Sequence, residues 1–440
     1  MTTPNDSMQI DASPTKELFI DMLVRDSPLI PAIIGLVDNA VDGALRQRHD
    51  NYSGFSIHIE LDSNRFKIVD NCGGIPVNVA RDYAFRFGKM NLTPSSVGQF
   101  GMGMKRVFFR LGKKFRVEST TKNAHFVVEA DVDEWKQQPN WHFQFQILEE
   151  NLADVPPEKR GTTITVTNLH QDISNKFKLE NFKTLLHREL AAAHSINMEK
   201  GLVIILNAIP LKIHPLLLLH SEQIQPFFKE EIVYHEDTPI RVKIFAGIAE
   251  RSPSDSGWYI FCNGRMVLKA DKTHVTGWGE LNGSLVPKYH DDFAYFRGYI
   301  FFDSDDARLL PWTTTKMLAI DFPLFRGFRL DMTTLMPLVI DFLRKLATEK
   351  SRKELGKIDE TPLVKALESA ELKHYSEIST PNRFFKAPES PLLPEPPTRW
   401  IGYRKPDAKF KKVQEVVGAK TPQEVGEATF EYFFQLECDY

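Results

Sequence analysis

Four short stretches within the first 165 residues combine residue types that suit nucleotide binding. Between Gly35 and Ala44, Asn39 and Asp42 stand three apart among the apolar Leu36, Val37, Ala40 and Val41. On a helix the two polar groups would share a face of an otherwise buried element; an ordinary helix with a solvated Asn and Asp fits the stretch equally well. Ile68 and Val69 lead into Asp70, which is followed by Gly73, Gly74, Ile75 and Pro76. A strand ending in a glycine turn lets the backbone approach a flat ligand, and a carboxylate there accepts a hydrogen bond from an exocyclic amino group such as that of adenine. A hairpin with a solvated Asp is the competing reading. Gly98, Gly101, Met102 and Gly103 run into Lys105, Arg106 and the helical pattern Val107 to Leu111. Free backbone amides at a helix start with cations beside them make a cradle for phosphates. Finally, Gly161 and Thr162 open a strand and offer a hydroxyl to supplement Asp70.

The elements that must position these residues alternate between helix and strand. Helical spacing covers Glu17 to Arg25 and Ile30 to Arg48, and strand alternation covers Phe55 to Leu61 and Arg65 to Val69. Further strands are expected at Phe115 to Ser119, Ala124 to Ala130, Trp141 to Leu148 and Thr162 to Thr167, so the fold class is α/β: a two-layer sandwich of a mixed or largely antiparallel sheet with helices on one face. A polar stretch near residue 175 suggests a boundary. The apolar strand Leu202 to Leu206 is then expected in a second α/β unit, with strands at Ile240 to Ala246, Trp258 to Cys262 and Phe293 to Phe302 and a helix from Thr333 to Lys350. The division is thus 1–175, 176–350 and 351–440. The last part is a helical tail interrupted by the six prolines between Pro381 and Pro397, with helices at Pro362 to Ala370 and Pro422 to Phe434.

Composition narrows the class without naming a reaction. The 440 residues are 42% hydrophobic and 26% charged, as in soluble globular proteins, with a net charge of −3. No overall basic field advertises nucleic acid, so DNA contact is confined to the local clusters at 344–357 and 404–412, where a solvated helix face is the commoner meaning. Three dispersed cysteines, Cys72, Cys262 and Cys438, make neither a disulfide framework nor a zinc site. With no apolar run long enough to span a bilayer, a cytoplasmic protein without membrane contact is expected.

Taken in this order and spacing, the four stretches resemble the ATP-binding motifs of the GHKL superfamily, which includes gyrase B subunits, heat-shock ninety-kilodalton chaperones, histidine kinases, MutL and MORC proteins. The resemblance implies a Bergerat ATP-binding fold with ATP and Mg2+ as cofactors. By position, Asn39 would coordinate the magnesium and Asp70 would bind the adenine amino group. Gly74, Ile75, Gly98, Gly101, Met102, Gly103, Lys105 and Thr162 would line the nucleotide, with Lys89 to Gly103 closing as a lid. Downstream, Gly257 to Val267 resembles the start of a GHKL transducer domain, and Trp312 to Leu318 resembles the loop whose lysine, here Lys316, reaches the γ-phosphate. Histidine kinases lack that second domain, and Leu111 to Ser119 is similar to the segment after the lid in MORC and MutL proteins, so the MORC-like branch is nearest. The resemblance implies a homodimer formed on ATP binding and a client that is DNA or a partner protein, in bacterial defence or repair.

Two positions depart from the pattern. Hydrolysing members carry an acid four residues before the magnesium Asn, and here that residue is Gly35. A missing general base should slow hydrolysis by ~10²–10⁴-fold. The alternatives are a substitute base, for which Asp38 and Asp42 are the nearest carboxylates, or a nucleotide-sensing scaffold without useful ATPase activity. Cys72 stands where the family has a glycine, and would be strained if that site needs positive φ.

Overall fold

The computed structural model describes residues 14–25, 28–48, 51–87, 103–279, 286–378, 382, 384–389 and 399–438. The chain divides into two compact units, Met1–Ser390 and Pro391–Tyr440.

Two sheets form the framework of the first unit. The first has eight strands: β1 (Ser56–Leu61), β2 (Arg65–Asp70), β3 (Gly112–Thr120), β4 (Ala124–Asp131), β5 (Phe145–Glu150), β6 (Gly161–Leu169), β7 (Val203–Leu206) and β8 (Ile209–Pro210). Their spatial order is β5-β4-β3-β6-β2-β1-β7-β8, antiparallel except for the parallel pair β1–β7. Alternation sends Ile57, Ile59 and Leu61 into the core and leaves His58 and Glu60 outside. The covering helices are α1 (Lys16–Arg25), α2 (Leu29–Gln47), α3 (Gly103–Leu111) and α4 (Glu180–Ala193). Pro31 is tolerated in α2 because amides of the first turn have no intrahelical acceptor. Ile33, Val37, Val41 and Ala44 of α2 are buried on Ile57, Phe66 and Val117 of the sheet in one core. The strand expected at Leu202 to Leu206 to begin the second unit belongs to this first sheet instead, registered on β1 with Ile57 opposite Ile204. Local pattern gives a strand but not its partner.

After β9 (Leu217–His220), the second sheet comprises β10 (Phe227–His235), β11 (Thr238–Ile248), β12 (Gly257–Cys262), β13 (Arg265–Asp271) and β14 (Phe296–Ser304), ordered β10-β11-β14-β12-β13. The long helix α5 (Pro323–Glu354) packs on one face through Phe325, Phe328, Met332, Met336, Val339, Ile340 and Leu343, a three-four repeat. Its end is locked to the next segment by Glu349, buried, whose carboxylate accepts from the amides of Leu363 and Val364. Residues after 350, expected as a tail, therefore begin by completing this core: Leu363 and Ala366 are buried in it, and β15 (Glu371–His374) pairs with β9. Most of the proline-rich stretch lies outside the described residues.

In the second unit, α6 (Asp407–Val417) and α7 (Pro422–Glu437) form a helical pair. Thr421 caps α7 through its hydroxyl, which accepts from the Glu424 amide. Among the described residues no helix is long and apolar enough to cross a membrane.

Candidate nucleotide site

One cavity in the first unit is built almost entirely by the four stretches singled out from sequence. Its lining takes Asn39, Asp42, Gly43 and Arg46 from α2, Asp70, Cys72, Gly74 and Ile75 from the end of β2, Gly103 and Lys105 from the start of α3, and Thr162 from β6. Residues 39, 42, 43 and 46 recur at helical spacing, so α2 presents one polar stripe along the cavity. Gly98, Gly101 and Met102, like the rest of the expected lid before Gly103, lie outside the described residues.

Asp70 ends β2 opposite Thr162 of β6. Its Oδ1 accepts the Cys72 amide at 2.9 Å. Burial nevertheless raises its pKa to about 6, against the opposing pull of the Cys72 and Thr162 amides and of Arg46. Below it, the Ser119 hydroxyl accepts the Ile75 amide at 2.8 Å and lies 3.0 Å from Thr162 Oγ1. The turn that follows carries positive φ at Gly73 (91°) and Gly74 (73°), and a Cβ on Gly74 would come within 2.2 Å of the Thr120 carbonyl oxygen. Cys72 itself is not among the positive-φ residues, so the two glycines take the turn and the cysteine sits there unstrained. Its side chain packs on α2 where a Cβ at Gly43 would meet the Cys72 carbonyl oxygen at 2.7 Å. That mutual fit explains a glycine in mid-helix.

At the other end, α3 begins at Gly103, where an added Cβ would lie 3.8 Å from the Gly35 carbonyl oxygen. The expected base position and a helix N-terminus are thus neighbours, an arrangement that favours negative charge. Among the described residues, nothing outside the helix's own backbone lies within 4 Å of a Cβ built on Gly35.

Three expected residues are placed differently from a phosphate cradle. Lys105 is 1% exposed, and its ammonium donates to the carbonyls of Ala84 (2.9 Å), Arg86 (2.7 Å) and Tyr83 (3.4 Å). It touches the cavity while tying α3 to the helical turn at Ala80–Ala84. Burial pushes its pKa down to about 7, below the unfolded value near 10.5, so its contribution to stability should be lost as pH falls through 7 and grow between pH 7 and 10. Lys105→Met strands three carbonyl oxygens and should cost ~1–3 kcal/mol. In thermal melts the gap between wild type and variant should widen from pH 7 to pH 9. Asp38, 2% exposed, is not in the cavity lining: its Oδ1 accepts from Arg265 Nε of β13 at 3.0 Å. Lys316, reached by a positive φ of 60° in the turn after Trp312, has its ammonium 3.5 Å over the Trp312 ring, and both Asp38 and Asp42 act on it electrostatically. Burial lowers its pKa to about 8. Asp42 is the carboxylate of the two that faces the cavity.

Arg46, Gly43, Val79 and Tyr83 line the cavity without having been expected there. Arg46 was readable as the next turn of the Asn39–Asp42 stripe; Gly43 and Tyr83 carry no local signal.

Among the described residues no group of three or more His, Cys, Asp and Glu is placed to hold a metal. A magnesium ion keeps most of its waters and takes one or two protein ligands alongside phosphate oxygens. The half-buried Asn39, with Asp42 one turn on, fits an ion that arrives with a nucleotide.

A comparison with curated proteins finds no match. Residues 27–162 match a family model described as "Histidine kinase-, DNA gyrase B-, and HSP90-like ATPase". That span holds α1's successor α2, the glycine turn, α3 and the first six strands up to Thr162, and it is therefore a GHKL-type, Bergerat-fold ATPase domain.

Proposed function

We propose that this chain binds ATP with magnesium in the cavity of α2, the Gly73–Gly74 turn, α3 and β6, and that binding rather than rapid hydrolysis is its working signal. The observation that carries this is the convergence of Asn39, Asp70, Gly74, Ile75, Gly103 and Thr162 on one cavity from stretches more than a hundred residues apart. Asp70 receives the adenine amino group, and Asn39 holds the magnesium that the phosphates bring. Gly35 offers no proton acceptor, so turnover is slow. The second sheet acts as a transducer-like domain whose Lys316 contacts the γ-phosphate, a charge-assisted bond that exists only with the triphosphate. Closure then favours N-terminal pairing of two protomers, because a ligand shifts an equilibrium by its preference for one state. A DNA client in a defence or repair system rests on analogy with MORC and MutL relatives alone.

Light scattering tests the closure. Mg-ATP should double the scattering mass at micromolar protein while Mg-ADP leaves it unchanged, and Lys316→Ala should abolish the doubling. Equal mass with both nucleotides would reject the sensing role. A scaffold reading without ATPase activity is favoured by Gly35; single-turnover hydrolysis at background rate, with dimerisation intact, selects it.

A further inference from the structure

Ser119, Thr162 and Asp70 stand in one row across the first sheet. Register sets Ser119 of β3 opposite Thr162 of β6, and Thr162 opposite Asp70 of β2; residues opposite one another on neighbouring strands send their side chains to the same face. Gly161 lets the row close up, because a Cβ there would collide with the Asp70 carbonyl oxygen. Asp70 and Thr162 line the cavity, whereas Ser119, 1% exposed, lies behind them and does not.

A serine hydroxyl has one proton and two lone pairs. At Ser119 one lone pair is taken by the Ile75 amide at 2.8 Å. The proton has two acceptors in reach, Thr162 Oγ1 at 3.0 Å and the Gly161 carbonyl at 3.3 Å, and the first is nearer the usual length of such a bond. Donation to Thr162 fills an acceptor position on that hydroxyl and leaves its own proton to point elsewhere. The Thr162 amide already serves the Asp70 carboxylate, so the hydroxyl is what this residue offers the cavity. We infer that Ser119 is a positioning residue for base recognition: it turns the Thr162 hydroxyl into a hydrogen-bond donor beside the Asp70 acceptor. Adenine carries an amino donor next to a bare ring nitrogen, the complement of that pair, where guanine carries a carbonyl oxygen next to a ring N–H, its reverse. The row thereby favours adenine nucleotides and rejects guanine nucleotides, whose polar edge would leave both protein groups unpaired. This rests on the nucleotide reading above and adds to it how the base is chosen.

The test is calorimetry of Mg-ATP, and of Mg-GTP by displacement, on the full chain. Wild type should prefer ATP by at least about 100-fold. Thr162→Val removes the donor and should lower that preference by about 10-fold, the size of one neutral hydrogen bond. Ser119→Ala should lower it by the same factor with Thr162 intact, since the released hydroxyl can turn and accept the guanine N–H. In the double variant the two losses should not add, the mark of one residue acting through the other. A serine that only braces the Ile75 turn would instead weaken both nucleotides alike and leave their ratio unchanged. That result, an unchanged ratio in Thr162→Val, or losses that add, overturns the inference. If Ser119→Ala does not fold, Ser119→Cys, whose thiol is a weak donor, is read in its place. Failure of the site reading looks different: the wild-type chain then binds neither nucleotide, or both equally, before any variant is made.

Discussion

Asp70→Asn should reduce ATP affinity by at least about 100-fold, the cost of turning the one charge-assisted acceptor for the adenine amino group into a side chain that presents an amide donor beside it. Fold loss cannot be the cause. Because burial raises the Asp70 pKa to about 6, above its ordinary 3.8, the folded state prefers the protonated form. The stability this carboxyl contributes is complete below pH 4, declines as pH rises through 6, and is absent at pH 7.5. Asparagine is neutral throughout and its Oδ1 still accepts the Cys72 amide. The ligand-free variant should therefore melt no lower than wild type at pH 7.5, and higher by a margin that vanishes near pH 4. The same titration predicts that wild-type ATP affinity falls between pH 7 and pH 5, a dependence the Asn variant lacks. Calorimetry and thermal melts across that range check all three. ATP affinity unchanged by Asp70→Asn would mean that the cavity holds something else.

Gly35→Glu should raise single-turnover hydrolysis of bound Mg-ATP by ~10²–10⁴-fold, the usual worth of a positioned general base. The site can take it. Among the described residues, nothing outside the helix's own backbone lies within 4 Å of a Cβ at this position, and the neighbouring start of α3 at Gly103 is where a terminal phosphate would meet helix amides. Replacing a helix-interior glycine also stabilises α2 by roughly 0.5–1 kcal/mol, so a gain of activity would not be masked by unfolding. Asp42→Asn supplies the counterpart: if Asp42 already serves as base, its loss abolishes the residual rate, and Gly35→Glu restores it. Hydrolysis that stays at background in Gly35→Glu with ATP bound would place the γ-phosphate away from Gly35.

What the sequence revealed and concealed follows from the range of each signal. Asn39, Asp70, Gly74, Ile75, Gly103 and Thr162 could be placed because helix spacing, a strand end and glycine turns are local patterns. The role of Lys105 could not, since three carbonyls from Tyr83, Ala84 and Arg86 compete for its charge only after the chain folds. Asp38 looked like a second carboxylate near the magnesium Asn; its partner Arg265 is 227 positions away. Cys72 looked strained for want of a glycine, but the positive φ of the turn falls on Gly73 and Gly74 and not on the cysteine. The long helix was expected from Thr333, but it starts at Pro323, because Gly327 and the paired threonines dilute a repeat that packing on the second sheet completes.

The parallel strand β7 has a practical consequence for dissecting this chain. A fragment cut at residue 162 or 175, where the family match or the polar stretch would invite the cut, would keep β1 but lose β7 and β8, and with them four paired positions from Ser56 to Ile59. The bare edge would offer Ile57 and Ile59 with unpaired amides to any other chain, an invitation to aggregate. Modularity here therefore runs at the level of the sheet and not of the motif set: a soluble nucleotide-binding fragment must extend through Leu211, and an ATPase domain borrowed without its borrowed strand should behave as an insoluble one.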